Sequence, residues 1–168
     1  IGVPLSVWPL SESTEMGIFE AGISQVGEME KLQPIICPTI GIFTNLGDAH
    51  QEGFSGLKQK ADEKLKLFKE AEVLIYNSDD KLLEIAILQA KLKAGLFAWG
   101  KKPDARLRVL QVVKNGNTTI SLKYEKQHFD VEIPFTDDAS VENALQCVCV
   151  MLYLNYTPEL IAQRLLRL

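Results

Sequence analysis

The feature that most constrains this chain is a change of period that repeats between residues 39 and 100. Three short apolar runs, "TIGIFTN" (39–45), "EVLIYN" (72–77) and "GLFAWG" (95–100), are separated by two longer stretches, "SGLKQKADEKLKLFKEA" (55–71) and "SDDKLLEIAILQAKLKA" (78–94). Runs too short for helices, spaced by helix-length amphipathic segments, imply right-handed β-α-β units and a mainly parallel sheet. The first helix is expected to take Ser55 as its N-cap, and the second Ser78 or Asp79. Upstream, "MGIFEAG" (16–22) is expected to be a short buried strand, and "GEMEKL" (27–32) a short helix.

After residue 105 the rhythm changes. "LRVLQVV" (107–113) and "TTISLKY" (118–124) flank "KNGN", and Asn115-Gly116 marks a tight hairpin turn. "HFDVEI" (128–133) alternates and can supply a third antiparallel strand. In "SVENALQCVCVMLYL" (140–154), Val141, Ala144, Leu145, Val148 and Leu152 form a helical apolar stripe. A last helix opens with Thr157 as cap and Pro158 at its first position. The expected fold is α/β: a parallel, Rossmann-like part flanked by helices over 1–105, a small three-stranded antiparallel sheet over 106–135, and closing helices over 136–168.

Charge and cysteine content narrow the function. The net charge is −4, with Lys and Glu interspersed and no basic stripe, so nucleic acid is not the expected partner. Cys37, Cys147 and Cys149 are odd in number and lack metal-ligand spacing; reduced thiols in a cytoplasmic protein are the simplest reading. No run is long and apolar enough for a membrane span, and no signal peptide is evident. The opening "IGVPLSVWPL" lacks an initiator Met and starts in mid-phrase, so the chain is expected to be a piece of a longer one.

Parallel sheets bind ligands beyond the carboxyl ends of their strands. Those ends bring Glu20, then Thr44, Asn45 and His50, then Asn77 and Asp79 toward one edge. A carboxylate, an imidazole and amides suit a hard cation that keeps some waters, such as Mg²⁺ holding phosphates. The plainer alternative makes Glu20 a solvated strand end and His50 a loop residue. Lys64 adds weight to the first reading. On a helical wheel Leu57, Ala61, Lys64 and Phe68 fall in one stripe, whereas Lys58, Lys60, Lys66 and Lys69 fall on its edges or on the polar side. An ammonium facing the core is costly unless paired, neutralised or modified. It either snorkels to water or serves a function near the strand ends.

The run "FEAGISQVGEMEKLQPIICPTIGIFTNLGDAHQEGFSGLKQKADEKLKLF" resembles the central, ATP-binding domain of the Mur ligases. Within that family it is most similar to the MurF type, which joins D-alanyl-D-alanine to UDP-N-acetylmuramoyl-tripeptide (UDP-MurNAc-tripeptide). "YNSDD" resembles the family's Asn-x-Asp segment, and "SVENALQCVCVMLYLNYTPELIAQRL" its closing helices, so the likeness covers nearly the whole chain. It is also similar to versions in which the ligase is fused to an alanine racemase. The resemblance implies Mg²⁺ and ATP, with Glu20 as a metal ligand, His50 helping to hold a second Mg²⁺, and Lys64 carbamylated by CO₂. It implies Asn143 facing the adenine, Asn77 and Asp79 lining the nucleotide pocket, and Ser24, Thr44 and Asn45 bordering phosphates or the muramyl substrate. The implied chemistry is ligation through an acyl phosphate, with His50 and carbamylated Lys64 as catalytic groups.

Two departures from the family pattern stand out. No Gly-rich loop ending in Gly-Lys-Thr or Gly-Lys-Ser occurs in these residues, and the segment before Asn143 reads "DDAS" where many relatives carry a His-Asn pair. The N- and C-terminal ligase domains are also missing, so this piece alone is expected to be inactive. Two alternatives remain: another ligase of the superfamily, such as a folylpolyglutamate or cyanophycin synthetase, and a non-catalytic α/β interaction module.

Overall fold

The computed structural model describes residues 2–47 and 53–168. Its elements run α1 (Gly2–Val7), α2 (Glu28–Ile36), β1 (Ile40–Phe43), α3 (Leu57–Leu65), a 3-10 turn (Lys66–Phe68), β2 (Val73–Asn77), α4 (Lys81–Ala90), β3 (Gly95–Gly100), β4 (Leu107–Asn115), β5 (Asn117–Tyr124), β6 (Gln127–Ile133), α5 (Asp138–Tyr153) and α6 (Pro158–Leu165). The six strands form one mixed sheet in the order β1-β2-β3-β4-β5-β6. The antiparallel strands thus continue the first three, joined where β3 pairs with β4 in parallel at Trp99↔Leu107. The chain divides into two compact units, one of residues 1–41, 46–74 and 85–95, the other of 42–45, 75–84 and 96–168.

In the second unit, β4 and β5 alternate. Leu107, Val109, Ile120 and Leu122 are buried, as are Val131 and Ile133 on β6. Register pairs Ile120 with Val131, which keeps one face apolar across the ladder. The hairpin turns at Gly116, whose φ of 73° is left-handed and cheap only without a side chain. α5 presents its expected stripe, with Val141, Ala144, Leu145, Val148 and Leu152 all buried. Thr157 caps α6 by accepting the Leu160 N–H at 3.4 Å. In the first unit, β1, β2 and β3 begin side by side: Glu72 N–H donates to the Thr39 carbonyl and Gly95 N–H to that of Glu72.

Several expectations need correction. Residues 16–22 form no strand; Met16 and Ile18 are 60% and 87% exposed, and a strand without a ladder partner gains nothing from extension. Ser55 is not an N-cap. Gly56 holds that position, while the Ser55 N–H and hydroxyl both donate to Gln59 Oε1. α3 ends at Leu65 and tightens into the 3-10 turn. The cap of α4 is Asp80, neither Ser78 nor Asp79: its Oδ1 accepts the N–H groups of Leu82 and Leu83. α1 was not foreseen. No helix among the described residues is long and apolar enough to cross a membrane.

Candidate functional site

In the first unit the chemistry gathers on α3. Lys64 is half-buried, and burial, reinforced by the neighbouring Lys60 charge, holds its ammonium below the ordinary lysine range. Lowering the pKa makes the neutral, nucleophilic amine available nearer neutral pH. Lys60 is more deeply buried than Lys64, at 3% exposure, contrary to its expected place at the edge of the stripe. The reason is tertiary: its Nζ donates to the Gly47 carbonyl at 2.8 Å, so backbone arriving from elsewhere covers it.

Glu63, 2% exposed, is a third charged group inside this helix. Its Oε1 accepts the Gly27 N–H at 2.7 Å and the Met29 N–H at 3.3 Å, and its Oε2 stands 2.8 Å from Lys66 Nζ. The carboxylate therefore sits at the start of α2, where unpaired N–H groups and the helix dipole favour negative charge. The turn before it is held the same way. Glu28 accepts the N–H groups of Ser24 and Gln25 and the Ser24 hydroxyl, and these bonds draw its carboxyl below the usual range. Ser24 thus sits in a fixed turn. Glu20 is exposed in irregular chain beside Ser6, Leu10 and Phe19. Residue 50, the expected imidazole, lies outside the described residues.

In the second unit, the Asp79 N–H donates to Asn77 Oδ1 at 2.9 Å, and both Asp79 carboxylate oxygens lie 3.0 Å from the Lys101 N–H. A Cβ at Gly100 would lie 2.8 Å from Asp79 Oδ1, so the two loops meet closely. Asn77 and Asp79 are therefore brought together, with Asp79 bonded to backbone. Exposed Asn143 lies on α5, one residue after Glu142. Burial, and then the charges of Asp138 and Asp80, raise the pKa of the Glu142 carboxyl. Three residues beyond Asn143, buried Gln146 donates Nε2–H to the Thr44 carbonyl at 3.4 Å. Thr44 and Asn45 are exposed just past β1, and Gln146 ties the first of them to the helix that carries Asn143.

Lys60, Glu63 and Gln146 were not anticipated. Each is a polar residue bonded to a backbone group outside its own helix, and no local periodicity reports that. Among the described residues, no group of three or more His, Cys, Asp or Glu side chains stands ready to hold a metal ion. Glu20 and Lys64, the described members of the expected ligand set, are a carboxylate and an amine that only CO₂ turns into an anionic oxygen ligand. The lowered Lys64 pKa fits that chemistry.

A family model for the Mur ligase middle domain matches residues 1–151. The UDP-N-acetylmuramoyl-tripeptide--D-alanyl-D-alanine ligase of Bacillus subtilis is 29% identical over 162 residues, which are 95% of this chain and 34% of that protein. Among solved structures, MurF from Acinetobacter baumannii superposes with a TM-score of 0.85 at 21% identity, covering 98% of this chain and 36% of that one. MurF from Thermotoga maritima, solved in complex with ADP, gives a TM-score of 0.65 at 21% identity over 80% of this chain and 32% of that one. The chain therefore spans about a third of the length of the relatives it matches.

Proposed function

The chain belongs to the Mur ligase family, whose middle domain it carries, and on that premise we propose that it is the central part of a cytoplasmic, ATP-dependent MurF-type ligase. The whole protein would join D-alanyl-D-alanine to UDP-MurNAc-tripeptide in peptidoglycan precursor synthesis. The tripeptide carboxylate attacks the γ-phosphorus, ADP leaves, and the dipeptide amine displaces phosphate from the acyl phosphate. The named function of the Bacillus subtilis relative supports this substrate pair, and the ADP complex of the Thermotoga maritima protein supports nucleotide use.

The observation that carries the reading within the structure is Lys64. A half-buried lysine with a depressed pKa is the group that adds CO₂: the neutral amine forms an N–C bond and releases one proton to solvent. Glu20, His50 and the Lys64 carbamate would hold Mg²⁺, which supplies charge neutralisation around the transferred phosphoryl group. Asn143, Asn77 and Asp79 would flank the nucleotide, with Asp79 acting through the Lys101 backbone it binds. Ser24, Thr44 and Asn45 would border phosphates or the muramyl substrate. This piece by itself is proposed not to turn over ATP, since these residues contain no phosphate-binding loop.

The test uses the full-length parent protein, including any fused racemase. Phosphate release should require ATP, Mg²⁺, UDP-MurNAc-tripeptide and D-alanyl-D-alanine together. A preference for folate or amino-acid-polymer substrates would move the protein to another branch of the superfamily. A folded parent that binds no nucleotide would make it an interaction module.

A further inference from the structure

Glu63 is a buried carboxylate that the proposed chemistry does not use. Burying a carboxylate is costly unless every lone pair finds a partner, and an apolar side chain of the same size would pack without that cost. What Glu63 gains is specific: two N–H groups at the start of α2 and the Lys66 ammonium. The neighbouring turn is tied by bonds of its own. Ser24 and Gln25 are clasped to Glu28, Ile23 is 5% exposed and Met29 is 1% exposed. Residues 23–29 are thus one hydrogen-bonded piece, joined to α3 at Glu63. Glu20 lies three residues before that piece, Ser24 lies within it, and Lys64 is the residue after Glu63.

We propose that Glu63 is a positioning residue of the ligase site: its carboxylate sets the chain carrying Glu20 and Ser24 at a fixed distance from the helix carrying Lys64. Two groups proposed to share a metal ion come from segments more than 40 residues apart in sequence, and the Glu63–Gly27 and Glu63–Met29 bonds hold those segments together. The inference rests on the ligase reading above.

The experiment compares Glu63→Leu and Glu63→Gln in the full-length protein, after the wild type has been assayed for Mg²⁺-dependent ligation. Leucine keeps the bulk and removes the acceptor; glutamine keeps an acceptor oxygen for Gly27 and Met29. The leucine variant should need about tenfold more Mg²⁺ for half-maximal rate and lose about tenfold in kcat. KM for ATP should change little, and glutamine should restore most of the loss. Should the leucine variant fail to fold, Glu63→Asp, which keeps the charge and shortens the reach, is read in the same way. An unchanged Mg²⁺ requirement in an active enzyme overturns the inference and leaves the ligase reading standing. So does a loss that follows the folded fraction alone. An inactive wild type removes the ligase reading, and this inference with it.

Discussion

Adding one carbon at Gly41 should destabilise the protein through a single clash. A Cβ built there runs into the Phe68 ring at Cδ1 and stands 3.0 Å from Cε1 and Cγ. Phe68 is only 7% exposed, so its ring has little room to move aside. Overpacking of this kind costs roughly 1–3 kcal/mol. The narrower unfolded ensemble of alanine offsets about 0.4–1 kcal/mol of that. The net loss should be about 1–2 kcal/mol, or roughly 3–6 °C in Tm for a chain of this size. Thermal and urea unfolding of the single variant should show it. Phe68→Leu frees the space, so the Gly41→Ala, Phe68→Leu double variant should be more stable than the two single losses predict, by about 1 kcal/mol. Strict additivity, or a Gly41→Ala protein as stable as the wild type, would refute the claim that β1 is seated directly on the turn following α3.

Three further outcomes follow from the same geometry. Lys64→Met in the full-length protein should lower ligation at least about a hundredfold and abolish any dependence on dissolved CO₂. In the wild type, burial and the Lys60 charge hold the Lys64 pKa below the ordinary lysine range, so the neutral amine fraction and CO₂ uptake should rise with pH and begin at lower pH than for a free lysine; a CO₂-independent wild type would sink the carbamate assignment. Asp79→Ala releases the Lys101 N–H and should raise KM for ATP about three- to tenfold while kcat holds; equal loss in both would show that Asp79 does more than shape the nucleotide side. Thiol labelling at pH 8 should reach the exposed thiols Cys37 and Cys147, the second more slowly because partial burial raises its pKa, and Cys149 only on unfolding, since burial pushes that thiol well above its ordinary value. Early modification of Cys149 would contradict the packing of α5.

The sequence by itself determined the order and kind of most elements from residue 27 onward. Their signals are local: the 2.0 and 3.6 periods, the Asn115-Gly116 turn and the Thr157-Pro158 start act within one element. It singled out Lys64, which the fold leaves half-buried, but it put the wrong lysine deepest: Lys60 is buried and Leu57 of the expected stripe is exposed. The strand expected at 16–22 failed because a strand exists only with a partner, and no run of residues states whether one is present. The caps expected at Ser55 and at Ser78 or Asp79 failed because neighbouring candidates competed, and backbone geometry chose Gly56 and Asp80. Only the tertiary structure decided the burial of Lys60, Glu63 and Gln146. Each is satisfied by a backbone group 13 to 102 residues away, at Gly47, Gly27 and Thr44 respectively. A buried polar side chain is stable only where a distant segment brings its partner, and that meeting is a property of the folded chain, not of the periodicity around the residue.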